Sequence, residues 1–340
     1  MRQFYGLFCP LHPFPDESRL LEQEANVMAT QMRRGLKAIP FVLAGLWFFS
    51  PSTNGQGQSG RHTLTCSPEK TIGNALKTLQ PGDTLLVSGT CNENLVIGPE
   101  VQRITLDGQG TAVIHGDSMA SAVTISGRGI TLRGFHVTGG APQGVGVLDG
   151  GAAVIESNTI EFADRNGIAI FRNSYADILN NTVQNNPVAG IAIQYDSSAR
   201  VGWFGPPNAR ISAPNTIQNN GGAGLQITRS SSAQIFTNVI QNNGSHAVMV
   251  DRNAQAEVGA NLITGNGGDA IRVMRNSGVD IGTDVNGSTA TFDDDTNTGS
   301  NAGFAVNCSI GGFVDGRFGS LAGLLGLKRF AEACVDSSAQ

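Results

Sequence analysis

The sequence predicts an all-β fold, a parallel β-helix in which the chain winds as a solenoid of short strands. Three observations carry that prediction. The first is a repeat. Gly144-Val145-Gly146-Val147 returns as Gly167-Ile168-Ala169-Ile170, Gly190-Ile191-Ala192-Ile193, Gly224-Leu225-Gln226-Ile227, Ala247-Val248-Met249-Val250 and Ala270-Ile271-Arg272-Val273. Four of the five steps are 23 residues and the fourth coil starts after 34, so 11 extra residues sit in the coil that begins at Gly190. A fixed period of this size marks a stacked repeat architecture. The second is a companion phrase on the same beat: Asn158-Thr159-Ile160, Asn181-Thr182-Val183, Asn215-Thr216-Ile217, Asn238-Val239-Ile240 and Asn261-Leu262-Ile263. The Asn of each phrase can pair its amide with the equivalents one coil away, as Asn ladders do. The third is the pattern inside one repeat. In the coil from Gly167 the apolar positions Ile168/Ile170, Ala176/Ile178 and Val183 alternate with polar ones, which is the signature of strands with one buried face. The long 3.6-residue runs of a helical repeat are missing.

The elements follow in chain order. Residues 1–52 read as a leader. Met32-Arg33-Arg34-Gly35-Leu36-Lys37 is a basic start, Ala38 to Phe49 an apolar run, and Ser50-Pro51-Ser52 a small-residue exit. This is the pattern of a secretory signal, with Met28 or Met32 as the start, and the run is short for a membrane span. The alternative is a cytoplasmic extension ahead of a membrane anchor. Residues 53–61 are then a flexible mature terminus. Export places the chain in the secreted, periplasmic or cell-surface compartment, with no stable membrane span after signal removal. Of five cysteines, Cys66, Cys91, Cys308 and Cys334 fall outside the leader, and an even number in an exported chain favours disulfides. Of the three possible pairings, the local one, Cys66–Cys91 with Cys308–Cys334, is the expectation. No Cys/His spacing suggests a zinc site.

Ser67-Pro68-Glu69 reads as the start of a capping helix, with Ser67 as N-cap and an apolar stripe at Ile72, Ala75, Leu76 and Leu79. A solenoid needs such a lid over its first coil. Strands of the first coils follow at Thr84-Leu85-Leu86-Val87, Asn94-Leu95-Val96-Ile97, Arg103-Ile104-Thr105-Leu106 and Val113-Ile114. The solenoid is bounded at 62–285. Residues 286–340 are read as a C-terminal closing segment, polar from Gly287 to Gly303, then ending in a helix or paired loop around Leu321, Leu324, Leu325 and Phe330.

The succession of cap helix, Pro81-Gly82-Asp83-Thr84, Leu85-Leu86-Val87-Ser88-Gly89-Thr90, Asn94-Leu95-Val96-Ile97, Ile104-Thr105-Leu106-Asp107-Gly108 and then Asn-x-Ile repeats resembles the pectin-lyase-like superfamily over residues 62–285. The resemblance implies a single-stranded right-handed parallel β-helix. It also implies a choice among polysaccharide lyases, glycoside hydrolases, uronate epimerases, esterases and non-catalytic surface proteins, because fold does not select activity. The hydrolase motifs of that superfamily and the Asp-Pro-His-Asp motif of alginate epimerases are absent in order.

Function must come from outward-facing residues, and the repeat aligns them. Residues one period apart are lateral neighbours about 4.8 Å apart. Position 6 reads Asp149, Arg172, Tyr195, Arg229, Arg252, Arg275. Consecutive arginines repel, an anionic ligand would relieve them, and guanidinium forks suit carboxylates. Position 11 reads Asp177, Arg200, Gln234, Glu257, Asp280, and the insertion after it carries Gly202-Trp203-Phe204-Gly205. A protruding Trp203 loop beside a polar strand face suits a sugar-binding groove. The expected substrate-binding residues are therefore Arg229, Arg200, Gln234, Trp203 and Asp251, and the expected catalytic residues Glu257, Asp280, Arg252 and Arg275. His246 and Asp269 occupy one column in adjacent coils and can pair. Asp293-Asp294-Asp295 could hold calcium through hard oxygen ligands, although no cofactor is required. The net charge of −5 argues against nucleic acid. The expected partner is an acidic polysaccharide and the expected state a monomer. The competing expectation is a non-catalytic surface or adhesive solenoid.

Overall fold

The computed structural model describes residues 59–206, 210–282, 297–331 and 333–339. The predicted leader, residues 53–58 and the Asp293–Asp295 run lie outside the described residues. Among those described, no helix is long and apolar enough to cross a membrane.

Three walls wind around one apolar core. In the coil that begins near Gly167 they are Asn166–Phe171, Tyr175–Leu179 and Thr182–Gln184, here the first, second and third walls. The first wall is a 10-stranded sheet running from Leu95–Ile97 to Gly326–Phe330. The second and third walls join in one 20-stranded sheet, because the 12-residue strands Thr105–Gly116 and Arg128–Gly139 pass from one wall into the next without a break. Register follows the repeat: Ile168 pairs in parallel with Ile191, Ala176 with Ala199 and Val183 with Ile217. Ile168, Ile170, Ile178 and Val183 are fully buried, so the alternation read from sequence is the alternation of core and surface.

The corner between second and third walls carries the expected amide ladder. Asn158, Asn181, Asn215, Asn238 and Asn261 each donate Nδ2 to the Oδ1 of the next, the last to Asn297, at 2.9–3.1 Å, and all six are 0–2 % exposed. A second ladder, not anticipated, closes the corner between third and first walls through Asn186, Asn220, Asn243, Asn266 and Asn301 at 2.7–3.0 Å. Buried turns carry backbone and amide groups that must be paired, and stacked asparagines pair them along the axis.

Both ends differ in detail from expectation. The lid helix spans Ile72–Leu76 and its N-cap is Thr71, not Ser67. The Ser67 hydroxyl instead accepts from the Lys70 N–H in a turn, and the Glu93 carboxylate takes the Ile72 and Gly73 N–H groups at 2.7 and 3.0 Å. That carboxylate holds the helix start where the first coil can reach it. At the other end the described residues form no helix. Ser320–Gly323, Gly326–Phe330 and Val335–Ala339 are strands that extend the third, first and second walls, respectively, past residue 285. Gly323 sits against the backbone of Gly303 and Phe304, a spacing that admits no side chain, so it stacks a strand where a helix would need room. The expected disulfides Cys66–Cys91 and Cys308–Cys334 are both present.

Candidate functional site

The second wall bears a groove of about 640 Å³. It lies along two columns of outward residues. One runs Tyr175, Ser198, Ser232, Gln255, Gly278, Phe313 and the other Asp177, Arg200, Gln234, Glu257, Asp280, Asp315, all in direct lateral register. The trough has a simple origin: Ser198, Ser232 and Gly278 leave the middle of the first column low, and aromatic rings stand at its ends. Five inter-coil steps of about 4.8 Å make it about 24 Å long, enough for several sugar rings.

At one end Arg200 grips Asp177 through two bonds of 2.6 and 2.7 Å, and its Nε also donates to the Tyr175 hydroxyl at 2.6 Å. Tyr175 donates to Asp177 at 2.6 Å. Burial, then Asp177, pushes the Tyr175 hydroxyl above its ordinary range, so it stays protonated, while Asp177 holds the Arg200 guanidinium firmly charged. At the other end Gln234 donates to Glu257 at 3.0 Å, with Asp280 and Asp315 in the next coils.

Trp203 does not protrude. It is 3 % exposed and packs edge-on against Phe236 at 6.3 Å. The insertion folds back as an antiparallel pair, Trp203–Phe204 with Ile211–Ser212, because an indole stripped of water gains more by burial than by projecting. The guanidiniums of Arg200 and Arg210 lie over its ring at 5.0 and 4.6 Å, and burial pushes the Arg210 pKa down. Trp203 therefore forms the rim of the groove and offers no open face to a sugar.

The position-6 residues line up in a row, as the repeat requires, but they turn away from the groove. Arg229, Arg252 and Arg275 each hold a left-handed backbone, φ 57°, 56° and 50°, at the corner between first and second walls. Backbone bonds such as Ser230 N–H to Arg252 O and Asn253 N–H to Arg275 O, 3.1 and 3.0 Å, tie this turn to the next coil. Arg252 and Arg275 both donate to Oδ2 of Asp251 at 2.9 Å, and Arg229 donates to Gln194 at 3.1 Å and stacks on Tyr195. Asp251 thus supplies from within the chain much of the counter-charge expected of a ligand. The groove brings together Arg200, Gln234, Glu257, Asp280 and Trp203; Arg229, Asp251, Arg252 and Arg275 gather on a different face. Sequence reasoning missed Tyr175 and Phe313, and Asp315 beside the groove. Phe313 and Asp315 follow an interrupted coil, where a 35-residue step from Asp280 to Asp315 breaks the period. Tyr175 was visible only as an aromatic at the head of a column that goes on as Ser198, Ser232, Gln255 and Gly278.

Among the described residues the one grouping close enough to hold a metal is Cys66, Cys91 and Glu93, and both cysteines are spent in the disulfide.

Comparison with solved structures returns the same architecture. An alginate lyase from Paenibacillus sp. str. FPU-7 is 17 % identical with a TM-score of 0.54, over 81 % of this chain and 99 % of that one. The enzymatically active domain of tailspike protein 2 from bacteriophage CBA120 is 10 % identical with a TM-score of 0.51, over 74 % of this chain and 42 % of that one. The A-module of mannuronan C-5 epimerase AlgE6 from Azotobacter vinelandii is 14 % identical with a TM-score of 0.44, over 83 % and 89 %. At these identities the likeness is one of fold. No curated protein sequence matches. The family described as the right handed beta helix region matches residues 89–202 and 208–290, more than half of the chain, and the protein belongs to that family.

Proposed function

We propose that this is an exported solenoid that binds an acidic polysaccharide along the second-wall groove and processes it by proton transfer at a uronate residue. The observation that carries the reading is the groove itself: a trough spanning six coils, with aromatic ends and a floor of guanidinium, amide and carboxylate groups. This is the mixture that sugar ligands need. Arg200 and Gln234 act as binding residues. Glu257 and Asp280, one coil apart in one column, are the proton-transfer pair, since elimination and epimerisation both begin by removing an acidic sugar proton. Arg252 and Arg275 contribute positive charge from the adjoining corner. The two disulfides support export, because such bonds persist in oxidising compartments. The shared fold of an alginate lyase points in the same direction.

One observation favours a second reading, a non-catalytic adhesive solenoid: Arg200, Asp177 and Tyr175 already satisfy one another. The test is direct. Purified chain is incubated with alginate, pectate and related uronans while the absorbance of unsaturated product and the C-5 configuration of the residues are followed. Turnover that falls at least about tenfold in Glu257→Gln, with binding weakened by Gln234→Ala, is the expected result. Absence of turnover on every uronan, together with unchanged binding in both variants, would sink the enzymatic reading.

A further inference from the structure

The last described coil presents three strand edges, Ser320–Gly323, Gly326–Phe330 and Val335–Ala339, that no other strand among the described residues pairs. Leu324, Leu325 and Val335 in this coil are 79, 66 and 55 % exposed. Open edges flanked by apolar side chains are a template for a second chain. Two core-facing positions of the same coil break the pattern of the coils before it. On the first wall a column of fully buried aliphatic residues runs through Ile168, Ile191 and Ile271 to Val306, and the next residue in it is Lys328. On the second wall the buried column through Ala256, Val279 and Val314 ends at Asp336.

Lysine and aspartate meet across the end of the core. Lys328 Nζ donates to Asp336 Oδ2 and to Ser338 O, each at 3.2 Å, and lies 4.7 Å from the centre of the Phe318 ring. Phe318 is 1 % exposed, so the lysine stem covers apolar surface while the carboxylate and the ring face answer its charge. The two side chains stay 27 and 35 % exposed. Water still reaches them in a single chain, and a second chain laid on top would remove it at a cost. The opposite end of the solenoid is closed by other means. The lid helix Ile72–Leu76 packs its buried Ile72 and Leu76 on the first coil, and His62 stands next to Leu85 in its column with Asp83 at 3.1 Å.

We propose that the last coil is a latent interface for a second copy of this chain, and that the Lys328–Asp336 pair holds it shut. The lid helix blocks head-to-tail stacking, which leaves tail-to-tail association about a two-fold axis. The last turn passes from the third wall through the first to the second, so its middle strand is Gly326–Phe330. A two-fold axis that lays one turn on the other crosses that strand and pairs it antiparallel with itself. Lys328, its central residue, then meets its own counterpart. Like charges directly opposite one another are destabilising, and the same approach strips water from Asp336. The inference does not depend on the polysaccharide reading.

The experiment is sedimentation velocity on the full disulfide-bonded chain across a concentration series, with far-ultraviolet circular dichroism to follow the fold. Lys328→Leu/Asp336→Val continues both apolar columns and is expected to tighten self-association at least about a hundredfold, giving particles of two chains where the wild type sediments as one. Lys328→Met, which keeps the length of the side chain and leaves Asp336 in place, is read in the same way should the double variant lose its circular dichroism. Lys328→Asp/Asp336→Lys exchanges the charges and should sediment as one chain. Adding Leu325→Glu to the apolar variant should return it to one chain, since that residue borders the edge in question. Four results overturn the proposal: a wild type that is already two chains, apolar variants that fold and stay single, an exchanged pair that associates as they do, or association of the apolar variant untouched by Leu325→Glu. The last of these would place the contact elsewhere on the solenoid.

Discussion

Replacing Asn215 by alanine tests the assumption on which every alignment of columns depends, that the coils are locked in register by buried amides. The Asn215 side chain makes four bonds. Oδ1 accepts from Asn181 N–H at 2.8 Å and from Asn181 Nδ2 at 3.0 Å, and Nδ2 donates to Ile178 O at 2.8 Å and to Asn238 Oδ1 at 2.9 Å. The residue is 0 % exposed, so water cannot simply take its place. At roughly 1 kcal/mol net for each bond the loss is about 4 kcal/mol. Ile178 O keeps the Gly202 N–H and Asn238 Oδ1 keeps the Asn215 N–H, which limits the damage there. The Asn181 N–H has no such substitute and is the group left stranded. Urea denaturation followed by circular dichroism, with the disulfides intact, reads the change as a shift in midpoint at constant slope. A cost below about 1 kcal/mol would mean that the ladder is ornament, and that strand pairing alone fixes the coil spacing.

Two further outcomes follow from the same contacts. Because burial depresses the His246 pKa below 6.5 in the folded state, the unfolded chain binds more protons as pH falls below that value. Stability contributed by the neutral ring is therefore complete above the unfolded pKa and is lost as pH drops from about 6.5 toward the folded value; His246→Gln should flatten that stretch of the stability curve, and an unchanged curve would refute the assignment. Replacing Cys308 and Cys334 by serine opens a loop of 26 residues, expected to cost about 3–4 kcal/mol and to make the last coil the first to exchange its amide protons. Uniform exchange along the solenoid would contradict this.

Much of the fold was legible in the primary structure for a physical reason. A coil buries one side of each strand, so the 23-residue beat of Ile168, Ile191 and Leu225 is itself the statement that these residues stack, and Asp177, Arg200, Gln234, Glu257 and Asp280 then fall into one row. Local pairing also followed from composition: four cysteines near two ends made two short loops. A repeat fixes where each Cα sits relative to the next coil, but it says nothing of which way a long side chain leaves a corner. Arg252 and Arg275 could have leaned toward Glu257; they lean toward Asp251 because a buried carboxylate there offers 2.9 Å bonds to both. Trp203 could have stood out from the wall; it lies down because Phe236 and two guanidiniums cover its ring. By itself, the sequence determined the winding, the register and the rows. Only the tertiary structure decided which row each charge serves, since that choice is made by partners that meet when the coils close.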